Sequence, residues 1–257
     1  MNLNCIFPRW VRSGVVLLTL LLPGRLALAA EDTAAVRIVT FGDSTTATRT
    51  GLVVYSDLLE KKLKETWPKV SVINAGVKGN TTEMAAKRFE HDVLSQAPAV
   101  VVIQFGINDS AVDVWKNPPA TASRVSLEQY RANLRYFVLA SRARGAQVVL
   151  MTPNPLLWTE RLKQMYGKPP YDPERVDGFN LTLVPYADAV RSLATELKVA
   201  LIDIAKAHEA FARGSKEPLL LDGMHPNQRG QQLVADLLFD FILQSGVMSG
   251  SPAVPLK

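Results

Sequence analysis

Five short apolar runs, each rich in Val, Ile or both, are spaced along the chain with amphipathic stretches between them. They occupy residues 36–41, 70–74, 99–105, 147–151 and 200–204. Near-continuous apolarity, rather than alternation, marks strands covered on both faces. The stretches between carry the helical period. Within residues 126–144, Leu127, Tyr130, Leu134, Phe137 and Val138 recur at steps of three and four. Ser126 and Gln129 read as a capping box there, and Gly145 as the stop. Residues 52–63, 82–94, 181–197 and 228–243 show the same pattern. Strands alternating with helices predict one α/β domain, a three-layer α/β/α sandwich around a five-stranded parallel sheet. Such sheets bind ligands at the carboxyl ends of their strands, so chemistry is expected in the turns after the runs.

Those turns carry it. The first run ends Gly42-Asp43-Ser44, the second runs on to Lys78-Gly79-Asn80, and the third ends Gly106-Ile107-Asn108-Asp109. Far downstream, Asp222-Gly223-Met224-His225-Pro226 precedes the last helical stretch. Ester hydrolysis needs a nucleophile, a base, a group that orients the base, and donors aimed at the developing oxyanion. Ser44 suits the nucleophile. His225 suits the base, because an imidazole exchanges protons near neutrality. Asp222, three residues earlier, can reach the far ring nitrogen, and Pro226 fits the first position of the following helix. The backbone N–H groups of Ser44 and Gly79 and the side-chain amide of Asn108 are the expected oxyanion donors. Each fragment alone is weak, since Gly, Asp, Ser and Asn are ordinary turn residues. Their placement at three successive strand ends and before the final helix makes the joint signal strong.

At these residues the sequence resembles the SGNH hydrolases, also called the GDSL esterase and lipase family. The motif residues correspond to Ser44, Gly79, Asn108 and His225, with Asp222 as the histidine's partner, and the similarity spans about residues 36–243. The resemblance implies a flavodoxin-like sandwich and metal-independent ester hydrolysis through an acyl-serine intermediate. The first block reads Gly-Asp-Ser-Thr-Thr, not Gly-Asp-Ser-Leu, which is closer to the carbohydrate-esterase branch that includes rhamnogalacturonan acetylesterases. The expected substrate is therefore a short acyl ester, foremost acetyl on a carbohydrate. A lysophospholipase or thioesterase on the same triad and an inactive glycan-binding module are the alternatives.

Composition narrows the partners. The formal charge is +5, but Arg9, Arg12 and Arg25 lie in the first 30 residues, which hold no acid. Without them 26 basic residues face 24 acidic ones, so no nucleic-acid partner is expected. Arg9 and Arg12, a short apolar run and Ala27-Leu28-Ala29 read as a signal peptide cleaved near Ala29 or Ala30. The run falls short of the roughly 20 residues of a membrane span. An uncleaved anchor is the alternative. The expected organisation is a signal peptide at 1–30, one hydrolase domain at 31–245 and a flexible tail at 246–257, in a secreted or periplasmic protein without stable membrane insertion. The single cysteine, Cys5, lies in the signal segment, so no disulfide framework is expected. No Gly-x-Ser-x-Gly, Gly-x-Gly-x-x-Gly, Walker or His-Glu-x-x-His motif occurs. Neither a cofactor nor a metal is implied.

Other residues draw softer expectations. Asn154, Trp115 and Trp158 are candidate substrate contacts. Residues 152–179 form a long aperiodic segment that either walls the pocket or packs on the scaffold. Asp43 is expected to shape its turn, and Asp109 to bond the loop around Asn108. His91 and His208 are expected in solvent. Oligomeric state is left open by the sequence.

Overall fold

The computed structural model describes residues 35–247; the signal segment and residues 248–257 of the expected tail lie outside the described residues. Five parallel strands stand in the order β2-β1-β3-β4-β5. They are β1 (Arg37–Gly42), β2 (Ser71–Gly76), β3 (Val100–Gln104), β4 (Gln147–Met151) and β5 (Ala200–Ile202). The helices, in chain order, are α1 (Tyr55–Lys64), α2 (Thr82–Ala86), α3 (Phe89–Asp92), α4 (Ile107–Ser110), α5 (Leu127–Ala143), α6 (Glu160–Tyr166), α7 (Val184–Leu197), α8 (Ile204–Gly214) and α9 (Gln228–Ser245).

The apolar runs are continuous because both faces of the sheet are covered. On one face Phe41, Val101, Ile103, Val148 and Leu150 pack with Phe89 of α3, Phe137 of α5 and Val190 of α7. On the other, Ile38, Val100, Val102, Val149 and Met151 pack with Leu59 of α1 and Leu238 of α9. Phe41 is ringed by Phe89, Phe105 and Phe137, with centroids 5.3, 5.1 and 5.3 Å away. The expected three-layer sandwich is therefore the observed one.

The order reverses at β1, whose neighbours are β2 on one side and β3 on the other. The crevice at such a reversal is where open α/β sheets take ligands. Pairing of Gly42 with Gly76 and with Gln104 brings the ends of β1, β2 and β3 level there.

Several boundaries differ from the sequence reading, each for a local reason. The 82–94 stretch is broken into α2, α3 and a 3-10 turn. The break falls at Arg88, whose side chain turns inward to donate to the carbonyls of Gly42 (3.0 Å) and Ala75 (2.8 Å) and to Asn80 Oδ1 (2.7 Å). The 200–204 run is split because Asp203 caps α8, accepting from the Lys206 N–H at 3.2 Å. The capping box at Ser126 is half formed. Its hydroxyl accepts from the Gln129 N–H, while the Gln129 side chain donates to Asn133.

Residues 152–179 are a packed insertion. They contain α6, and Leu156, Leu162, Tyr166, Tyr171 and Phe179 gather over Ile107 and Val112 as a satellite core.

His208 corrects an expectation. The charged stretch around it predicts a solvated ring, yet only 6% of it is exposed and its Nε2 has no hydrogen-bond partner. Lys206 and Glu209 disguise a buried stripe that runs from Ile204 to His208, one turn apart on α8. Desolvation pushes the ring's pKa down to about 4, against 6.5 ordinarily. The unfolded chain therefore takes up the proton first, and stability is lost as pH falls from 6.5 towards 4. Replacing His208 by leucine should remove that loss. Urea unfolding should show the wild type losing about 2 kcal/mol relative to the variant between pH 7.5 and pH 5. Asp43 and Asp109, whose carboxyls burial raises to about 6, titrate in the opposite sense in both proteins and cancel in the difference. A difference that does not move with pH would refute the buried neutral ring.

Candidate active site

The turn after β1 is held from inside. Asp43 is buried, and its Oδ1 accepts from the backbone N–H and the hydroxyl of Thr45, both at 2.9 Å. Burial nevertheless dominates and pushes the carboxyl up to about 6. Gly42 must be glycine: a Cβ there would lie 2.1 Å from Thr46 Oγ1 and 2.9 Å from the Gln104 carbonyl. This close packing leaves Ser44 half-buried at the end of the turn.

His225 reaches Ser44 from 181 positions away, with Nε2 3.0 Å from Oγ. Its other nitrogen, Nδ1, lies 2.8 Å from Asp222 Oδ2. The second oxygen, Oδ1, accepts the backbone N–H groups of His225 (2.9 Å) and Met224 (3.1 Å). Partial burial works against the Asp222 charge, yet these bonds and the nearby imidazole hold its carboxyl below the usual range. An ionised carboxylate only accepts, so the proton belongs on Nδ1 and Nε2 is left as acceptor for the serine hydroxyl. The loop turns through Gly223 at φ +86°, and the Leu221 N–H closes it onto the His225 carbonyl at 2.7 Å. Pro226 does not open the helix as expected. Asn227 caps α9 through the Gly230 N–H, so the proline sits one residue before the cap.

The other two strand ends meet the same turn. Asn108, in the first turn of α4, donates through Nδ2 to the Asn80 carbonyl at 3.1 Å and, more weakly, to Asp43 Oδ2 at 3.4 Å. Gly79, one residue before Asn80, is exposed and has φ +75°, a conformation that favours glycine. Ser44, His225 and Asp222 are thus brought into one chain of hydrogen bonds. Asn108 is tied to the same turn through Asp43, and Gly79 precedes its other partner, Asn80.

The remaining candidates behave differently. Asn154 is fully buried and donates to the carbonyls of Met224 (2.9 Å) and Pro155 (3.0 Å). It ties the exit of β4 to the His225 loop. Trp158 is stacked on Phe179 at 4.4 Å and donates to the Arg175 carbonyl. Trp115 is half-exposed on the loop after α4, with the Lys116 ammonium 5.6 Å from its ring centre. No hydrogen bond or ring contact links either tryptophan to Ser44 or His225 among the described residues. The Asp109 side chain accepts from the N–H (2.8 Å) and hydroxyl (2.6 Å) of Thr82 on α2. Its burial also raises it to about 6.

Sequence reasoning missed the residues that brace the site. Gln231 of α9 accepts from the Tyr55 N–H at 2.8 Å and donates to the Thr45 carbonyl at 3.5 Å, docking the helix after His225 against the Ser44 turn. Its place in the buried stripe Gln231, Val234, Ala235, Leu238 was the available signal. Gln104 accepts from the Thr45 hydroxyl and donates to the Thr152 carbonyl. Arg124 contacts Asn108 and Asp113. Among the described residues no three His, Cys, Asp or Glu side chains could hold a metal ion, and no helix is long and apolar enough to cross a membrane.

With this geometry, the match of residues 40–233 to the GDSL-like Lipase/Acylhydrolase family model decides the classification. The chain belongs to that family. It is similar to the uncharacterized lipoprotein YqeF of Bacillus subtilis, at 32% identity over 66% of this chain and 73% of that one. It is also similar to an acetylxylan esterase of Geobacillus stearothermophilus, at 30% identity over 72% of this chain and 78% of the relative. Among solved structures, the lipase/acylhydrolase from Enterococcus faecalis superposes with a TM-score of 0.63 at 28% identity, covering 86% of this chain and 99% of that one. The expected GDSL/SGNH membership is thereby established.

Proposed function

We propose that the protein is an exported serine esterase that removes short acyl groups, foremost acetyl, from a carbohydrate. The observation that carries this reading is the relay from Ser44 Oγ to His225 Nε2 at 3.0 Å and from Nδ1 to Asp222 at 2.8 Å. Its position at the sheet's reversal point supports it, as does similarity to an acetylxylan esterase. Ser44 attacks the ester carbonyl while Nε2 takes its proton, and Asp222 stabilises the imidazolium. The carbonyl oxygen, now negative, is met by the N–H groups of Ser44 and Gly79 and by Asn108 Nδ2, which exchanges the Asn80 carbonyl for it. Collapse of the adduct expels the alcohol, which takes the proton from Nε2 and leaves acyl-Ser44. Water, deprotonated by His225, then attacks the acyl group and releases the acid and free Ser44. Cleavage near Ala29 or Ala30 delivers the domain at 31–245 outside the cytoplasm, and N-terminal sequencing of the mature protein checks the cut.

A longer acyl group is the second reading. Leu157 and Leu221 are exposed on either side of the Asp222–His225 loop, bonded through their N–H groups to the carbonyls of Gly223 and His225. A series of p-nitrophenyl esters separates the two readings. The short-acyl reading expects kcat/KM at least about tenfold higher for acetate than for decanoate, since one pocket methylene already changes selectivity severalfold. It also expects acetate release from acetylated xylo-oligosaccharides. A preference for decanoate would overturn it in favour of a lipid-type ester.

A further inference from the structure

Arg124 lies outside the triad and the three donors, on the loop between α4 and α5. Its backbone N–H donates to the Ala111 carbonyl at 2.9 Å, stapling the loop back against the exit of α4. Its guanidinium is divided between two partners. Nε and Nη2 grip the carboxylate of Asp113, the latter at 2.6 Å, while Nη1 donates to Asn108 Oδ1 at 3.2 Å. Asp113 is buried, and Lys116 also pairs with it at 2.7 Å. Burial opposes its charge, but Arg124 and Lys116 hold the carboxyl below its ordinary range.

An asparagine amide can face either way, and one way is wrong for this chemistry. Turned over, it would present an acceptor oxygen to an oxyanion. In this site each neighbour specifies the same orientation. Nδ2 faces the Asn80 carbonyl and Asp43, and Oδ1 faces a group that only donates. During the reaction Nδ2 must leave the Asn80 carbonyl, so that restraint weakens when orientation matters most. The bond to Arg124 is on the far end of the amide and persists. A cation on the carbonyl end also strengthens the N–H as a donor.

We infer that Arg124, anchored on Asp113, is a positioning residue that orients and polarises the Asn108 amide for the oxyanion. This rests on the serine-esterase reading above. The arrangement needs the planar fork of arginine, which lysine lacks.

The test is a double-mutant cycle on the full chain with p-nitrophenyl acetate. Arg124→Leu is paired with Asp113→Asn so that no buried carboxylate is stranded, and the pair is compared with wild type. Loss of Asn108 donation by Asn108→Ala should lower kcat about 10²–10³-fold. Removing Arg124 should lower kcat about 10–10²-fold with KM within about threefold, and never by more than Asn108→Ala does. In the Asn108→Ala background, removing Arg124 should cost nothing further, a result that a general loss of structure would not give. A change in kcat under about twofold, or full additivity with Asn108→Ala, would overturn the inference. If Asn108→Ala itself turns over normally, the site reading fails instead, and the two failures are distinguishable.

Discussion

Replacing Ser44 by alanine is expected to lower turnover of p-nitrophenyl acetate by about 10⁴–10⁶-fold and to abolish labelling by a fluorophosphonate probe. The fold should survive. Ser44 is half-buried, and its hydroxyl makes one hydrogen bond, to His225. The turn is held instead by Asp43, Gln104 and Gln231 through Thr45. The thermal midpoint should therefore stay within a few degrees of wild type. A residual rate above that of water is expected, because the donors around the carbonyl remain. Retained turnover in a folded variant would remove Ser44 from the nucleophile's place.

Asp222→Asn should cost about 10³–10⁴-fold in kcat, for a reason written in the loop. Oδ1 of Asp222 accepts two backbone N–H groups, while Oδ2 faces the imidazole. An asparagine must keep its oxygen on the two N–H groups, so its amino group turns towards His225 Nδ1. That forces Nδ1 to accept and moves the ring proton to Nε2. The ring then meets the serine hydroxyl as a donor and cannot remove its proton. Loop shape is preserved, so the variant should fold and show the loss in kcat. A fall of less than tenfold would contradict the orienting role of the carboxylate.

The fold was legible in the sequence because covering a sheet on both faces leaves a mark in one dimension: apolar runs without alternation. That Ser44, Asp222 and His225 would meet was legible because few side chains suit the proposed chemistry, and each falls at a strand end or a helix entrance. What supports them was not. Arg124 and Arg88 look like solvated polar residues along the chain, and only their neighbours in space give them partners. Asn154 was placed correctly after β4, yet periodicity says nothing about whether a turn residue points out or in. Burial turned its amide towards the Met224 carbonyl. His208 misled for the converse reason, since charged neighbours in sequence are no guide to the face of a helix one ring occupies.

The distance of 181 positions between hydroxyl and imidazole bears on when the molecule becomes reactive. Synthesis proceeds from the amino end, so a growing chain carries its serine long before its histidine exists. The helix that follows the histidine docks its glutamine against the early turn. A fragment ending anywhere before that helix holds an inert alcohol. On the serine-esterase reading, reactivity thus requires the chain to be made and folded through this helix.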